Sequence, residues 1–268
     1  MMRGVAVVVA GGAGSRMRVT EGGVKTQYLD LGGKPLMYHA LAALQRSALV
    51  DLIAAVVAPG DEETVRTEIV ERFALSKVRA VVAGGKERYH SVYAGLRAVR
   101  ELLREEMSAA AGAPGSRQAE NGTDAGCAED ILVYIQDAAR PFLTEEVMRR
   151  CHDGAVSAGA CVAAMPVKDT IKQADGNGVV TATPDRKTLW AMQTPQTFRL
   201  QLVYDAYTKL IAEESEGADL SFVTDDAMVV ERHGNGQRIL LTEGSYTNIK
   251  VTTPEDLQYA RVLLQTET

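Results

Sequence analysis

Cysteine is scarce in this chain, and the little there is forms no pattern. Cys127, Cys151 and Cys161 make no CxxC pair and no metal-ligand spacing. They read as free thiols in a reducing compartment, which excludes a disulfide framework. Long apolar runs are missing too: none approaches the roughly 20 residues that span a bilayer. The apolar stretch near the N-terminus runs into glycines where a signal peptide would want a longer apolar region and a cleavage site. Positive charge is not in excess, since 29 Lys and Arg against 35 Asp and Glu leave a net charge of −6 at pH 7. That argues against a general nucleic-acid or membrane-surface binder. His39, His90, His152 and His233 have no ligand spacing. The expectation is a soluble cytoplasmic protein without nucleic-acid or membrane partners, whose phosphate chemistry would rest on local arginines and lysines.

What the chain does have is strand–helix alternation. Apolar, β-branched runs suited to buried strands fall at 5–10, 52–58, 78–83, 131–136 and 160–165. Helical spacing fills 35–47, 61–73, 88–106 and 144–158, with Asp61 and Thr144 as N-cap candidates. Further helices are expected at 199–213, at 224–233 and from Pro254, and further strands at 238–244 and 248–252. The pattern predicts a single α/β domain over 1–268, Rossmann-like and layered, with a mostly parallel sheet whose ligands bind at the carboxyl ends of its strands. Residues 108–130 are small, polar and aperiodic, and read as a surface insertion. Residues 166–198 carry period-2 patches around "DGNG", and read as a β-hairpin arm projecting from the sheet.

The glycine-rich stretch "AGGAGSRMR" (10–18) follows the first strand. A dinucleotide fingerprint is incomplete, because Met17 stands where the third glycine belongs, and a P-loop fails because no GK[ST] follows Gly14. A third reading fits better: a loop of backbone N–H groups around a triphosphate, followed by Arg16 and Lys25 to neutralise charge as a phosphoryl group is attacked. The plain alternative is a strand–turn–helix connection that uses glycine for positive φ. "GGKERYHSVYAGL" (84–96) supplies a second set of backbone donors and a serine at a helix start. "QDAARPF" (136–142) puts an aspartate and an arginine just past a buried strand. A carboxylate there suits Mg²⁺, which takes only one or two protein carboxylates when it binds nucleotide phosphates.

Together with "KTQYLDLGGKP", "MPVKDTIK", "TPDRKTLWAMQTPQTF", "VTDDAMVVE" and "NIKVTTPEDL", these segments resemble the 2-C-methyl-D-erythritol 4-phosphate cytidylyltransferases of the non-mevalonate isoprenoid pathway. The ribitol-5-phosphate cytidylyltransferases share part of the set. A non-catalytic nucleotide-binding module is an alternative of another class. The resemblance implies transfer of CMP from CTP to a polyol phosphate with release of pyrophosphate, on a homodimer joined through the β-arm. It implies catalytic roles for Arg16, Lys25 and Lys250. Ala10, Gly11, Gly12, Gly14, Gly85, Arg88, Ser91, Asp137 and Ala138 are implied at the nucleotide, with Mg²⁺ at Asp137. Arg140, Thr170, Arg186, Thr194, Thr224 and Lys250 are implied at the polyol phosphate, those of the arm reaching the partner's site. The chain reads "VKTQY" where the family commonly has "PKQ" or "NKQ", and its Arg16-to-Lys25 loop is a residue or two longer, a departure that bears on Lys25.

Overall fold

The computed structural model describes residues 2–11, 24–111 and 131–266. Gly12, Gly14, Arg16, Cys127 and residues 112–130 lie outside the described residues. In chain order the elements are β1 (Arg3–Ala10), β2 (Asp30–Leu31), β3 (Lys34–Pro35), α1 (Leu36–Arg46), β4 (Leu52–Val57) and α2 (Glu62–Val65, continued by a π-helix Arg66–Glu71). Next come β5 (Val78–Ala83), α3 (Arg88–Ala111), β6 (Ile131–Asp137), α4 (Glu145–Ala158) and β7 (Ala160–Pro166). The chain continues with β8 (Gln173–Ala174), β9 (Val180–Ala182), β10 (Trp190–Arg199), α5 (Leu200–Ser215), α6 (Asp226–His233), β11 (Leu240–Glu243) and α7 (Pro254–Thr266).

Among the described residues the main sheet has seven strands, in the order β11-β7-β10-β6-β1-β4-β5. β1 pairs in parallel with β4 and β6, β4 with β5, and β7 with β11, while β10 runs antiparallel between β6 and β7. The central strands are buried on both faces, which is why their sequences read as near-continuous apolar runs. Side chains alternate across the sheet. Ala6 and Val8 face α1, α2 and α4, whereas Val5 and Val7 face α3, α5 and α6. A glycine lets α3 lie close on the sheet: a Cβ at Gly95 would stand 2.4 Å from Val7 and 2.8 Å from Val56. Thr144 caps α4 as its sequence position suggests, its hydroxyl accepting from the Val147 N–H.

Four expectations are corrected. The arm is shorter than 166–198: it leaves the sheet after Pro166, turns through Asp175–Gly178 and returns by Leu189, whose carbonyl accepts from Val167 N–H at 3.1 Å. Residues 190–199 are instead the antiparallel strand β10, so Thr194 belongs to the sheet and is 3 % exposed. Residues 248–252 form no strand. They cross the β6 exit held by Val251 N–H on the Ala139 carbonyl, at 2.8 Å. Asp61 precedes α2, but its side chain makes no capping bond. Residues 108–111 continue α3 and are not part of an insertion.

Candidate active site

β1 and β6 lie side by side, with Val9 in register with Asp137. The chain runs from β1 outward to β4 and β5, then returns to the other side of β1 as β6. Such a reversal opens a crevice beyond the carboxyl ends of the two strands. A cleft of about 550 Å³ occupies that place. It is lined by Ala10 and Gly11 after β1, by Lys25–Gln27, by Ala58 and Pro59 after β4, by Gly85–Arg88 with Ser91, by Asp137–Ala139, and by Lys250–Thr252.

Asp137 anchors the charges. Lys250 Nζ stands 2.8 Å from its Oδ2, Arg140 Nε 3.8 Å from the same oxygen, and Arg88 Nη2 3.5 Å from Oδ1. Its backbone N–H donates to the Thr194 hydroxyl at 3.1 Å. Burial by itself would push the Asp137 carboxyl up. The charges of Arg88, Lys250 and Arg140 outweigh that and hold it well below the usual carboxylate range. A carboxyl that binds fewer protons folded than unfolded stabilises the fold above its unfolded value of about 3.9, and that contribution is lost as pH falls further. Asp137→Asn should therefore lower stability at pH 7 and shrink the additional loss seen below about pH 4. Urea unfolding of both proteins at several pH values would show it, and equal acid slopes would count against the role.

Behind Asp137 the polar network continues into the core. Arg88 donates from both Nη atoms to Asp226, each at 2.7 Å, and Tyr207 donates its hydroxyl to the same carboxylate. Asp226 is fully buried. Arg88 thus lines the cleft but uses its guanidinium as a brace between α3 and α6. The loop before α3 is also tied to itself and to α5. Gly85 N–H donates to the Ser91 hydroxyl at 3.2 Å, and Tyr89 and His90 both reach Glu214, at 2.6 and 2.7 Å. Arg140 is held in the same manner, its Nη1 donating to the Asn248 carbonyl at 2.7 Å and its Nη2 to the Met192 carbonyl at 3.2 Å.

Of the residues singled out in the sequence, the structure gathers Ala10, Gly11, Lys25, Gly85, Arg88, Ser91, Asp137, Ala138 and Lys250 on one cleft. Arg140 and Thr194 lie just beneath it, in contact with Asp137. Thr170 and Arg186 are exposed on the arm and Thr224 is exposed before α6; none of the three lines the cleft. Gly12, Gly14 and Arg16 are outside the described residues. Asp226, Tyr207 and Asn248 escaped the sequence reading, and "VTDDA" was the available signal for the first. Among the described residues no three His, Cys, Asp or Glu side chains converge as a metal site. Asp137, ionised and facing the cleft, has the hard-oxygen character Mg²⁺ takes alongside phosphate oxygens.

A family model described as IspD: 2-C-methyl-D-erythritol 4-phosphate cytidylyltransferase matches residues 5–107 and 101–266. Over 261 residues the chain is 41 % identical to the 2-C-methyl-D-erythritol 4-phosphate cytidylyltransferase of Lachnospira eligens, covering 97 % of this chain and 98 % of the relative. The protein of the same name from Geobacter metallireducens is 39 % identical over 260 residues, covering 97 % of each. Among solved structures, the 4-diphosphocytidyl-2C-methyl-D-erythritol synthase of Anaerococcus prevotii superposes with a TM-score of 0.73 at 27 % identity, covering 98 % of this chain and 96 % of that one.

Proposed function

The chain belongs to the 2-C-methyl-D-erythritol 4-phosphate cytidylyltransferase family, and from that premise we propose that it transfers CMP from CTP to 2-C-methyl-D-erythritol 4-phosphate and releases pyrophosphate. The observation that carries this reading is the cluster of Lys250, Arg88 and Arg140 around Asp137 at the switch point between β1 and β6. The reaction brings two anions together, the attacking sugar-alcohol phosphate and the α-phosphate. Their repulsion must be offset by cations fixed in advance. Lys250 rests on Asp137. With substrates bound, its ammonium turns its remaining donors to the α-phosphate and the incoming phosphate. In this reading Lys25, which lines the same cleft, acts on the nucleotide, and the family resemblance gives Arg16 the same role. Asp137 would hold Mg²⁺, which when bound supplies charge neutralisation at the triphosphate.

The arm belongs to the same proposal. Ile171, Val179 and Val180 are exposed on a short hairpin, with relative accessibilities of 39 %, 61 % and 55 %. Pairing with a second copy would cover them and bring Thr170 and Arg186 to the partner's cleft. The buried free thiols Cys151 and Cys161 fit a cytoplasmic enzyme, and none of the described helices is long and apolar enough to cross a membrane.

The test is pyrophosphate release by the purified protein. Release should require CTP and 2-C-methyl-D-erythritol 4-phosphate together, should fall sharply with ribitol 5-phosphate, and should be lost with EDTA and restored by added Mg²⁺. No release from the complete mixture would sink the reading.

A further inference from the structure

Lys25 does not stand alone on the cleft wall. Its ammonium donates to Asp61 Oδ2 at 2.6 Å, and the Tyr28 hydroxyl donates to the same oxygen at 2.8 Å. We propose that Asp61 is a positioning residue for Lys25, holding its ammonium at the cleft before the triphosphate arrives; this rests on the function proposed above.

Asp61 is itself fixed on both sides. Its N–H donates to the Ala58 carbonyl at 3.0 Å, and its carbonyl accepts from Val65 N–H at 2.9 Å, so it is clamped where β4 hands over to α2. Ala58 and Pro59, immediately before it, line the cleft with Lys25. Tyr28 is anchored as well, its N–H on the Lys25 carbonyl at 2.9 Å and its ring against the core. A lysine carries a flexible four-carbon stem and three donors. One donor on Asp61 fixes the head of that stem and leaves two for phosphate oxygens. The neighbouring Glu62 does not compete, because its carboxylate accepts from Gly60 N–H at 2.6 Å and caps its own turn. Burial raises the Asp61 carboxyl, and its bonds from Lys25 and Tyr28 more than reverse this, so it stays ionised at any working pH.

A carboxylate beside a triphosphate site repels the substrate in the ground state. A residue with this role therefore shows itself in turnover and not in CTP affinity. Asp61→Ala should lower kcat at least tenfold while the KM for CTP stays within threefold of wild type. Asp61→Asn, which keeps the shape and loses the charge, should do the same, and it serves if the alanine variant does not fold. In a Lys25→Ala background either change should add less than a further twofold loss, since there is no ammonium left to position. A merely structural role would instead multiply the two losses and lower the melting temperature in step. The proposal is overturned if Asp61→Asn keeps kcat within twofold of wild type, if the double variant shows the product of the single losses, or if Lys25→Ala turns over normally. A wild-type chain that makes no pyrophosphate overturns the function and this proposal together, whereas an active wild type with an unaffected Asp61→Asn overturns this proposal alone.

Discussion

Asp226→Ala should be the most destabilising single change near the cleft. Asp226 is fully buried and accepts from both Nη atoms of Arg88 and from the Tyr207 hydroxyl. Removing it leaves a guanidinium without its partner and a buried phenol without its acceptor. Breaking a buried pair in this way costs about 3–5 kcal/mol. The Arg88 side chain is still 24 % exposed, so water from the cleft can hydrate the stranded charge, and the lower end applies. A loss of about 3 kcal/mol corresponds to a fall of roughly 6–12 °C in Tm for a chain of this size. The pair's net worth is a separate question from the cost of breaking it. Replacing Arg88 by Met, Asp226 by Leu and Tyr207 by Phe together removes the desolvated charges and should recover most of that stability, because apolar packing often matches a buried ion pair. The recovered protein should nonetheless turn over poorly, since Asp137 loses one of its three cations. Thermal unfolding and pyrophosphate release on the same preparations decide it: a wild-type Tm for Asp226→Ala would mean that Arg88 finds another acceptor and the brace is dispensable.

The two ends of that brace show how far the sequence could be read. Strands buried on both faces must be apolar throughout, so β1, β4, β6 and β7 announced themselves as continuous Val, Ile, Leu and Ala runs. β10 is as central as they are, yet "QTPQT" looks like surface. Three of its buried polar side chains meet a specific partner: Gln196 bridges Asp225 and the Ala227 N–H, Thr194 accepts from Asp137, and Gln193 meets Ser245. Hydrophobic patterning cannot see burial of that kind, so by sequence the segment reads as part of the arm. The reverse error came at 248–252. "NIKVT" alternates like a strand, but Asn248 is fastened by its side chain to the Thr194 carbonyl at 2.9 Å and its own carbonyl is taken by Arg140. Gly85 and Asp137 could be placed together because they follow strands of one parallel sheet, whose carboxyl ends share an edge, whereas Lys250 came only with the family resemblance. Asp61 could not, since its partner Lys25 lies 36 residues away and nothing in "PGDEE" distinguishes a helix start from a lysine anchor.

An impaired Lys250→Ala chain mixed with an impaired Arg186→Ala chain should regain activity. Lys250 lines the cleft beside Asp137, and loss of such a charge at a reacting phosphate costs about 10²–10³ in kcat. Arg186 is exposed on the arm, its Nη1 on the Lys168 carbonyl at 2.7 Å, and it lines no part of its own chain's cleft. If it grips the substrate phosphate in a second copy, Arg186→Ala should weaken the polyol phosphate by roughly ten- to a hundredfold and leave CTP nearly untouched. That is the worth of one charge-assisted phosphate contact, about 1.5–3 kcal/mol. The counting then follows from two-fold symmetry. A heterodimer of the two variants holds one site with both defects and one with neither, so half of its sites are intact. Random exchange in an equal mixture makes half of the dimers mixed, and the expected recovery is about a quarter of wild-type activity. Assayed at low polyol phosphate, where the Arg186→Ala parent keeps about a tenth to a hundredth of the wild-type rate, that recovery stands above either parent. Exchange confirmed by mass-tagged subunits without any return of activity would place Arg186 at its own chain's site, and the shared-site dimer would be wrong.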